Sequence, residues 1–398
     1  MTTRRDFLKA GAAVSGAAIA GGLPNIAGAL ERDMRPASMN LLIFGGTGFI
    51  GPHLVRRAVE RGHKVTIFSR GRHDADIPSS VDRLIGDRAP DSVSKQSNLT
   101  ALKGKRFDAV IDDPASDPQW VRESADLLKT SGSYLFVSST GVYLPYNTPN
   151  ADETAPVELV PSNGSAPQYG NNKAQCEKIV MDTFGAHGQV VRPAYIIGPG
   201  DTTDRFCYWP QRLKKGGETF VPGKGTERIA IVDVRDLVDF MLKLVEEKKG
   251  GIYNVTGPKD DTTFSQFMDR AQKALNTDAK LVWVDDYDFL RTHGIGQMVP
   301  WTRLDGANLY HTVLSNKKAV AAGLTFRPME ETIRDIWNWW PERLKLLPAG
   351  QEPRFQLRAP GGRGGRGAAG AGAAPASPPM TTEEYEQKVL ADWKARAK

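Results

Sequence analysis

The chain has 398 residues, 40% of them hydrophobic and 25% charged, with a formal charge of +6 at pH 7. This mix reads as a globular protein with one large or two modest cores. Two cysteines, Cys176 and Cys207, exclude a disulfide scaffold and read as buried free thiols. The positive balance, to which both an N-terminal signal and an Arg-bearing tail contribute, makes no strong case for nucleic acid.

The first segment is an address rather than structure. Thr3-Arg4-Arg5-Asp6-Phe7-Leu8-Lys9 is a twin-arginine motif, followed by a weakly apolar run over residues 10–22 and the small-residue site Ala27-Gly28-Ala29. Residues 1–29 therefore read as a Tat export signal, with a mature chain beginning near Leu30 in a periplasmic or otherwise extracytoplasmic compartment. The apolar run is too short to span a bilayer.

Leu41-Leu42-Ile43-Phe44 then forms a short apolar strand, and Gly45-Gly46-Thr47-Gly48-Phe49-Ile50-Gly51 leads into a segment of helical spacing. Strand, tight turn and helix in that order suit a dinucleotide pyrophosphate. Gly45 permits the turn, Gly48 lets backbone approach phosphate, Gly51 lets helix pack on strand, and the N–H groups after Thr47, Phe49 and Ile50 face the anion. From Met39 onward strand-like and helix-like segments alternate, which predicts an α/β fold: a Rossmann doubly wound parallel sheet with a smaller C-terminal substrate lobe.

The second strand, residues 64–68, ends in Ser69-Arg70-Gly71-Arg72. A carboxylate there would hold a ribose 2′-hydroxyl; two guanidiniums favour a 2′-phosphate, so NADP is preferred over NAD. A third strand, 83–85, ends in Gly86-Asp87, whose carboxylate is placed to meet the adenine. A fourth, 107–111, ends in Asp112-Asp113-Pro114. A helix over 119–129 and a fifth strand, 134–137, lead into Ser138-Ser139-Thr140-Gly141-Val142-Tyr143.

Tyr169 and Lys173 lie four apart, on one helical face, so that the ammonium stabilises the phenolate and contacts the nicotinamide ribose. Such a tyrosine exchanges a proton with a substrate hydroxyl while Ser139 hydrogen-bonds the reacting oxygen. The chain resembles the extended or atypical short-chain dehydrogenase/reductases, the NAD(P)-dependent epimerase/dehydratase family. The resemblance rests on residues 45–51, 138–143 and 169–173, on Arg192-Pro193-Ala194-Tyr195-Ile196-Ile197-Gly198-Pro199-Gly200, on residues 231–237 and 251–255, and on Phe326-Arg327-Pro328. It spans roughly residues 39–341. It implies that Ser139, Tyr169 and Lys173 are the catalytic set and that Arg192 and Pro193 border the cofactor.

The departures narrow the reading. Where 4,6-dehydratases of the family carry Asp-Glu after the catalytic Ser/Thr, this chain has Thr140-Gly141, which disfavours dehydration. Where many epimerases carry a diphosphate-binding Arg, it has Ile229, with Arg228 one residue off. Beyond Gly200, the aromatics Tyr208 and Trp209 beside Arg205 suit a sugar face and an anionic group, or equally a packing loop between lobes; with Thr140 they are the substrate candidates. The six His show no metal-ligand spacing.

The domain plan is a nucleotide-binding domain over 39–200 completed by about 227–256, a substrate lobe over 201–226 and 257–345, a Gly/Ala/Pro-rich linker over 351–380, and a last helix over 381–398. Thr381 and Glu384 form a capping box for that helix, whose apolar stripe, Val389, Leu390 and Trp393, suits docking on the body or on a second copy in a homodimer. Tat carries folded proteins, commonly with cofactor inside, and the far compartment has no evident pool of free NADP. Together these favour an epimerase or oxidoreductase acting on a sugar or nucleotide-sugar hydroxyl through a keto intermediate, with its cofactor retained. The alternatives are a simple NADP-dependent carbonyl reductase and a non-catalytic RNA- or ligand-binding protein on the same fold, since some atypical relatives resemble chloroplast stem-loop RNA-binding proteins.

Overall fold

A computed structural model describes residues 37–72, 76–89, 97–113, 115–349, 351–357 and 380–396. The export signal and most of the Gly/Ala/Pro-rich linker lie outside these residues.

Seven strands form one parallel sheet: β1 (Asn40–Phe44), β2 (Lys64–Ser69), β3 (Asp82–Ile85), β4 (Ala109–Asp112), β5 (Tyr134–Val137), β6 (Gly188–Pro193) and β10 (Gly251–Val255). Their order is β10-β6-β5-β4-β1-β2-β3, every pair parallel. The chain leaves β1 towards β2 on one side and returns to β4 on the other. The crevice at that reversal, beyond the carboxyl ends of the strands, is where such sheets bind ligands.

The period of two along β1 builds both cores. Leu41 and Ile43 face one side, packed with Leu54 and Val55 of α1 (Ile50–Glu60) and Val238 and Met241 of α5 (Val234–Glu246). Leu42 and Phe44 face the other, packed with Val121 and Leu128 of α2 (Pro118–Leu128) and Cys176 and Val180 of α3 (Tyr169–Phe184). A sheet buried on both faces explains why its strands read as continuous apolar runs rather than alternating ones.

Two boundaries in this region have local reasons. The Asp233 carboxylate accepts from the Arg235 N–H at 2.8 Å, which starts α5 at Val234. The short strand before it, β9 (Ile231–Asp233), pairs with β7 (Tyr195–Ile197) and lies outside the main sheet.

The second lobe comprises α4 (Tyr208–Lys215), the parallel pair β8 (Glu218–Pro222) and β11 (Lys280–Val284), α6 (Phe264–Leu275) and α9 (Met329–Lys345), around a core of Trp209, Phe264, Phe267, Trp301 and Ile333. Residues 351–357, read above as the start of the linker, belong to this lobe. Leu357 is fully buried, and the Gln356 side-chain oxygen accepts from the Val299 N–H at 2.7 Å.

The capping box forms at the last helix, α10 (Thr382–Arg396): the Thr381 hydroxyl accepts from the Glu384 N–H at 3.2 Å, and the Glu384 carboxylate accepts from the Thr381 N–H at 2.8 Å. It docks on the body of its own chain through Tyr385, Val389 and Leu390. Between them the buried Glu386 accepts from Arg212 Nε at 2.6 Å and from the Phe220 N–H at 2.9 Å. Removing one partner of a buried ion pair leaves the other charge uncompensated, at a cost of about 3 kcal/mol. Glu386→Ala is expected to lower unfolding stability by that order in urea titration; an unchanged midpoint would mean that α10 contributes nothing to the fold.

Candidate active site

The turn after β1 has the shape the glycines require. Gly45 sits at φ +83°, and the Gly48 N–H donates to its carbonyl at 3.1 Å. A Cβ on Gly51 would lie 2.1 Å from the Gly45 oxygen, so only glycine lets α1 start this close to the turn. A Cβ on Gly48 would meet nothing nearer than 3.7 Å, leaving the approach over that backbone open. Thr47, Phe49 and Ile50 complete the turn; the first turn of α1 carries no acidic residue and its N-cap no side-chain hydrogen bond. Uncapped N–H groups and the positive end of the helix dipole suit an anion. His53 bonds the Pro199 carbonyl at 2.8 Å, tying this helix to the loop after β7.

At the adenosine end, Ser69 closes β2 with Arg70 and Arg72 exposed beyond it. Arg72 lies 3.9 Å from the Asp87 carboxylate, whose other oxygen accepts from the Ala89 N–H at 3.0 Å. Asp87 is thus partly engaged by its own turn. Asp112 is fully buried and holds Arg88 through two bonds of 2.7 and 2.8 Å, while the Tyr134 hydroxyl donates to it at 2.6 Å. The Arg88 guanidinium also covers the Phe44 ring at 4.4 Å. Arg88 escaped the sequence reading because a lone arginine after a strand has no distinguishing pattern.

The catalytic candidates converge where β5 ends. Ser139 caps a 3₁₀ turn, Thr140–Tyr143, by accepting from the Gly141 N–H at 3.0 Å, and its hydroxyl and the Tyr169 ring both border Gly141, 3.3 and 3.6 Å from where a Cβ there would lie. Tyr169 is the first residue of α3 and half-exposed. A Cβ at Gly170 would fall 2.2 Å from the Gly141 carbonyl, so a bare backbone is what seats Tyr169 beside Ser139. The glycine next to the tyrosine was the available signal for this contact.

Lys173 departs from expectation. It is buried, donates to the carbonyls of Ala115 and Val137 at 2.6 and 2.7 Å, and its ammonium lies 5.8 Å from the centre of the Tyr169 ring. Burial lowers its pKa, against the pull of Asp113 and Asp112. Burial in turn pushes the Asp113 carboxyl up to about 7, with Lys173 opposing and Asp112 reinforcing the rise. Burial likewise raises the Tyr169 phenol, while the Ser139 hydroxyl and the positive field of Arg205 act to lower it. Lys173, below the Tyr169 ring, ties the ends of two strands together through the Ala115 and Val137 carbonyls.

Arg192 and the aromatic pair at 208–209 turn into the core. Arg192, expected beside the cofactor, is 2% exposed and holds Glu177 through bonds of 2.9 and 2.6 Å and the Tyr143 hydroxyl at 2.6 Å. Pro193, next to it, is the last residue of β6, at the carboxyl end of the sheet. Trp209 is fully buried in the lobe core and donates to the Val299 carbonyl at 2.9 Å. Tyr208 lines a cavity of about 790 Å³ between α4 and α10 that includes none of Ser139, Tyr169 and Lys173. The aromatic pair at 208–209 is lobe packing. Thr140 follows Ser139 at the start of the 3₁₀ turn, and Tyr146, a residue the sequence reading passed over, packs with Val142 and Tyr143 of that turn.

The profile of the NAD dependent epimerase/dehydratase family matches residues 41–256, more than half the chain, and the chain belongs to that family. Among individual proteins it is 30% identical over 236 residues to the chloroplast stem-loop binding protein of 41 kDa b of Arabidopsis thaliana, covering 55% of this chain and 59% of that protein. It is 27% identical to the dTDP-4-dehydro-6-deoxy-D-allose reductase of Streptomyces bikiniensis, over 56% of this chain and 77% of the enzyme. The fold matches the Bordetella bronchiseptica enzyme WbmG in complex with NAD at a TM-score of 0.56 and 17% identity, covering 78% of this chain and 96% of that one. Among the described residues no group of three or more His, Cys, Asp or Glu is placed to hold a metal, and no helix is long and apolar enough to cross a membrane.

Two outcomes test this geometry. Gly170→Ala should separate Tyr169 from Ser139 and cut turnover by about 100-fold with cofactor binding intact; near-normal turnover would show that the close approach is dispensable. Arg205→Met removes a field that favours the phenolate, so the Tyr169 pKa rises further. The limb of the pH–rate profile that climbs with deprotonation of Tyr169 should move to higher pH, and an unmoved limb would remove Arg205 from this role.

Proposed function

We propose that the protein is an NAD(P)-dependent epimerase or oxidoreductase that oxidises a sugar or nucleotide-sugar hydroxyl to a keto intermediate and keeps its cofactor throughout. The observation that carries this is the placing of the Ser139 hydroxyl and the Tyr169 ring side by side at Gly141, 3.3 and 3.6 Å from where a Cβ there would lie, in a chain that also has the uncapped glycine turn after β1. The turn would hold the pyrophosphate on the N–H groups of residues 47–51, and the exposed Arg70 and Arg72 favour a 2′-phosphate, hence NADP over NAD. When bound, the dinucleotide supplies a hydride acceptor and donor beside the reacting carbon.

The chain's own residues do the rest. Ser139 holds the reacting oxygen, and Tyr169 takes the hydroxyl proton and returns it when the carbonyl is reduced. Arg205 favours the deprotonated phenol during that exchange. Lys173, bonded to Ala115 and Val137, keeps the ends of β4 and β5 in register beneath α3.

Retention of cofactor follows from the Tat reading of residues 1–29 and the lack of an evident dinucleotide pool across the membrane. Mature protein purified without added nucleotide should release about one equivalent of NADP or NAD on denaturation, and cell fractionation should recover it outside the cytoplasm. Tyr169→Phe should keep the nucleotide and lose turnover by at least about 100-fold. Protein free of nucleotide that exchanges added cofactor rapidly would point to a simple carbonyl reductase. The identity to a chloroplast stem-loop binding protein favours one further reading, RNA binding without catalysis, for which salt-sensitive association with a stem-loop RNA is the sign.

A further inference from the structure

Asp113 leaves β4 at the strand end that faces the glycine turn. In the register of β1 and β4, Phe44 stands opposite Asp112, so the next residue along, Asp113, comes out across from Gly45. The chain is anchored on both sides of it. Asp112 is held by Arg88 and by the Tyr134 hydroxyl, and the Ala115 carbonyl accepts from Lys173 at 2.6 Å. Asp113 is thereby fixed in the crevice, between the turn suited to a pyrophosphate and the helix that carries Tyr169 and Lys173.

Its own carboxyl is left open. Asp113 is half-buried, and among the described residues it makes no hydrogen bond and no ion pair, while its oxygens are not sealed from solvent. The groups that face it are Lys173 and Tyr169 from α3, Asp112 on its own strand and Arg88 from the loop after β3. Each charged neighbour has another partner. Arg88 pairs with Asp112 at 2.7 Å, and the Lys173 ammonium is taken by the Ala115 and Val137 carbonyls. Burial pushes the Asp113 carboxyl up to about 7 against the pull of Lys173, with Asp112 adding to the rise and Arg88 opposing it.

A dinucleotide brings an anionic pyrophosphate to the turn opposite. A carboxylate beside it is repelled, whereas a carboxylic acid donates a hydrogen bond to the same anion. The added negative charge therefore moves Asp113 in one direction only, towards the form that bears a proton.

We propose that Asp113 binds the cofactor as a neutral acid, keeping its proton in the nucleotide complex and donating it to an oxygen of the dinucleotide. This rests on the nucleotide-binding part of the proposed function and is independent of the substrate. Its consequence is a proton taken up with the nucleotide. Below about pH 7 the free protein already carries that proton, and affinity is at its full value. Above about pH 7 free Asp113 has lost the proton that the complex keeps, so affinity falls as pH rises until the complex loses it too.

The test uses the full chain as purified with its bound nucleotide, and NAD and NADP each as added probe. Bound and free nucleotide are separated by ultrafiltration over a dilution series. Kd should be about tenfold higher near pH 8.5 than near pH 6.5. Asp113→Asn keeps a donor but cannot ionise, and its Kd should agree within about twofold at the two pH values. In the infrared, the wild-type complex near pH 8 should show the C=O stretch of a protonated carboxyl that Asp113→Asn lacks. A wild-type Kd that does not change with pH, or a complex without that band, would overturn the proposal. So would an equal pH dependence in Asp113→Asn, which would assign the titration to Lys173 or Tyr169. Protein that neither carries nor binds either nucleotide would instead remove the dinucleotide reading, and the role of Asp113 with it.

Discussion

The buried pair Glu177–Arg192 is the contact on which the arrangement depends. Glu177 belongs to α3 and Arg192 to β6, and the network continues from Glu177 to the Ser138 hydroxyl and from Arg192 through Tyr143 to Asn254 of β10. One helix, the end of β5, the 3₁₀ turn and two strands are thereby held to a common register. A buried ion pair is weak evidence for stability, since replacing both partners by apolar groups is often neutral. Breaking one partner is costly, and so the value of the pair lies in fixing α3. With α3 fixed, the bare backbone at Gly170 can press on Gly141, and Tyr169 is delivered to Ser139 from the first turn of the helix.

The same economy of backbone recurs at the other end of the crevice. Gly51 against the Gly45 carbonyl sets α1 on β1 as Gly170 against Gly141 sets α3 on the turn after β5. In each case a missing Cβ lets a helix start touch a strand end, and a helix N-terminus then faces the crevice. The two approaches stand on the two sides of the topological reversal at β1 and β4, which is where a parallel sheet opens to a ligand.

Most of the fold was legible because a parallel sheet covered on both faces leaves continuous apolar runs, as in residues 41–44 and 134–137. Ser139, Tyr169 and Lys173 were legible from order and spacing. What spacing could not give was the third dimension of single side chains. Arg192 carries a charge in a family motif yet turns into the core, because Glu177 from α3 meets it there. Trp209 looked like a stacking surface but fills the lobe, since nothing in an aromatic pair states which face is solvated. Lys173 lies on the face of the helix that spacing assigns, but two strand-end carbonyls capture its ammonium. Tyr146, Tyr195 and His311 come from segments more than a hundred residues apart in part, and only folding brings them together.

The central claim is that hydride leaves one substrate carbon and returns within a single bound cycle, with Tyr169 handling the proton. The most direct measurement uses a sugar deuterated at the reacting carbon, incubated with the nucleotide-bearing protein and no added cofactor. Product that is isomerised with deuterium retained is the expected result. Loss of the label to solvent, or turnover only with stoichiometric added NADPH, would contradict it.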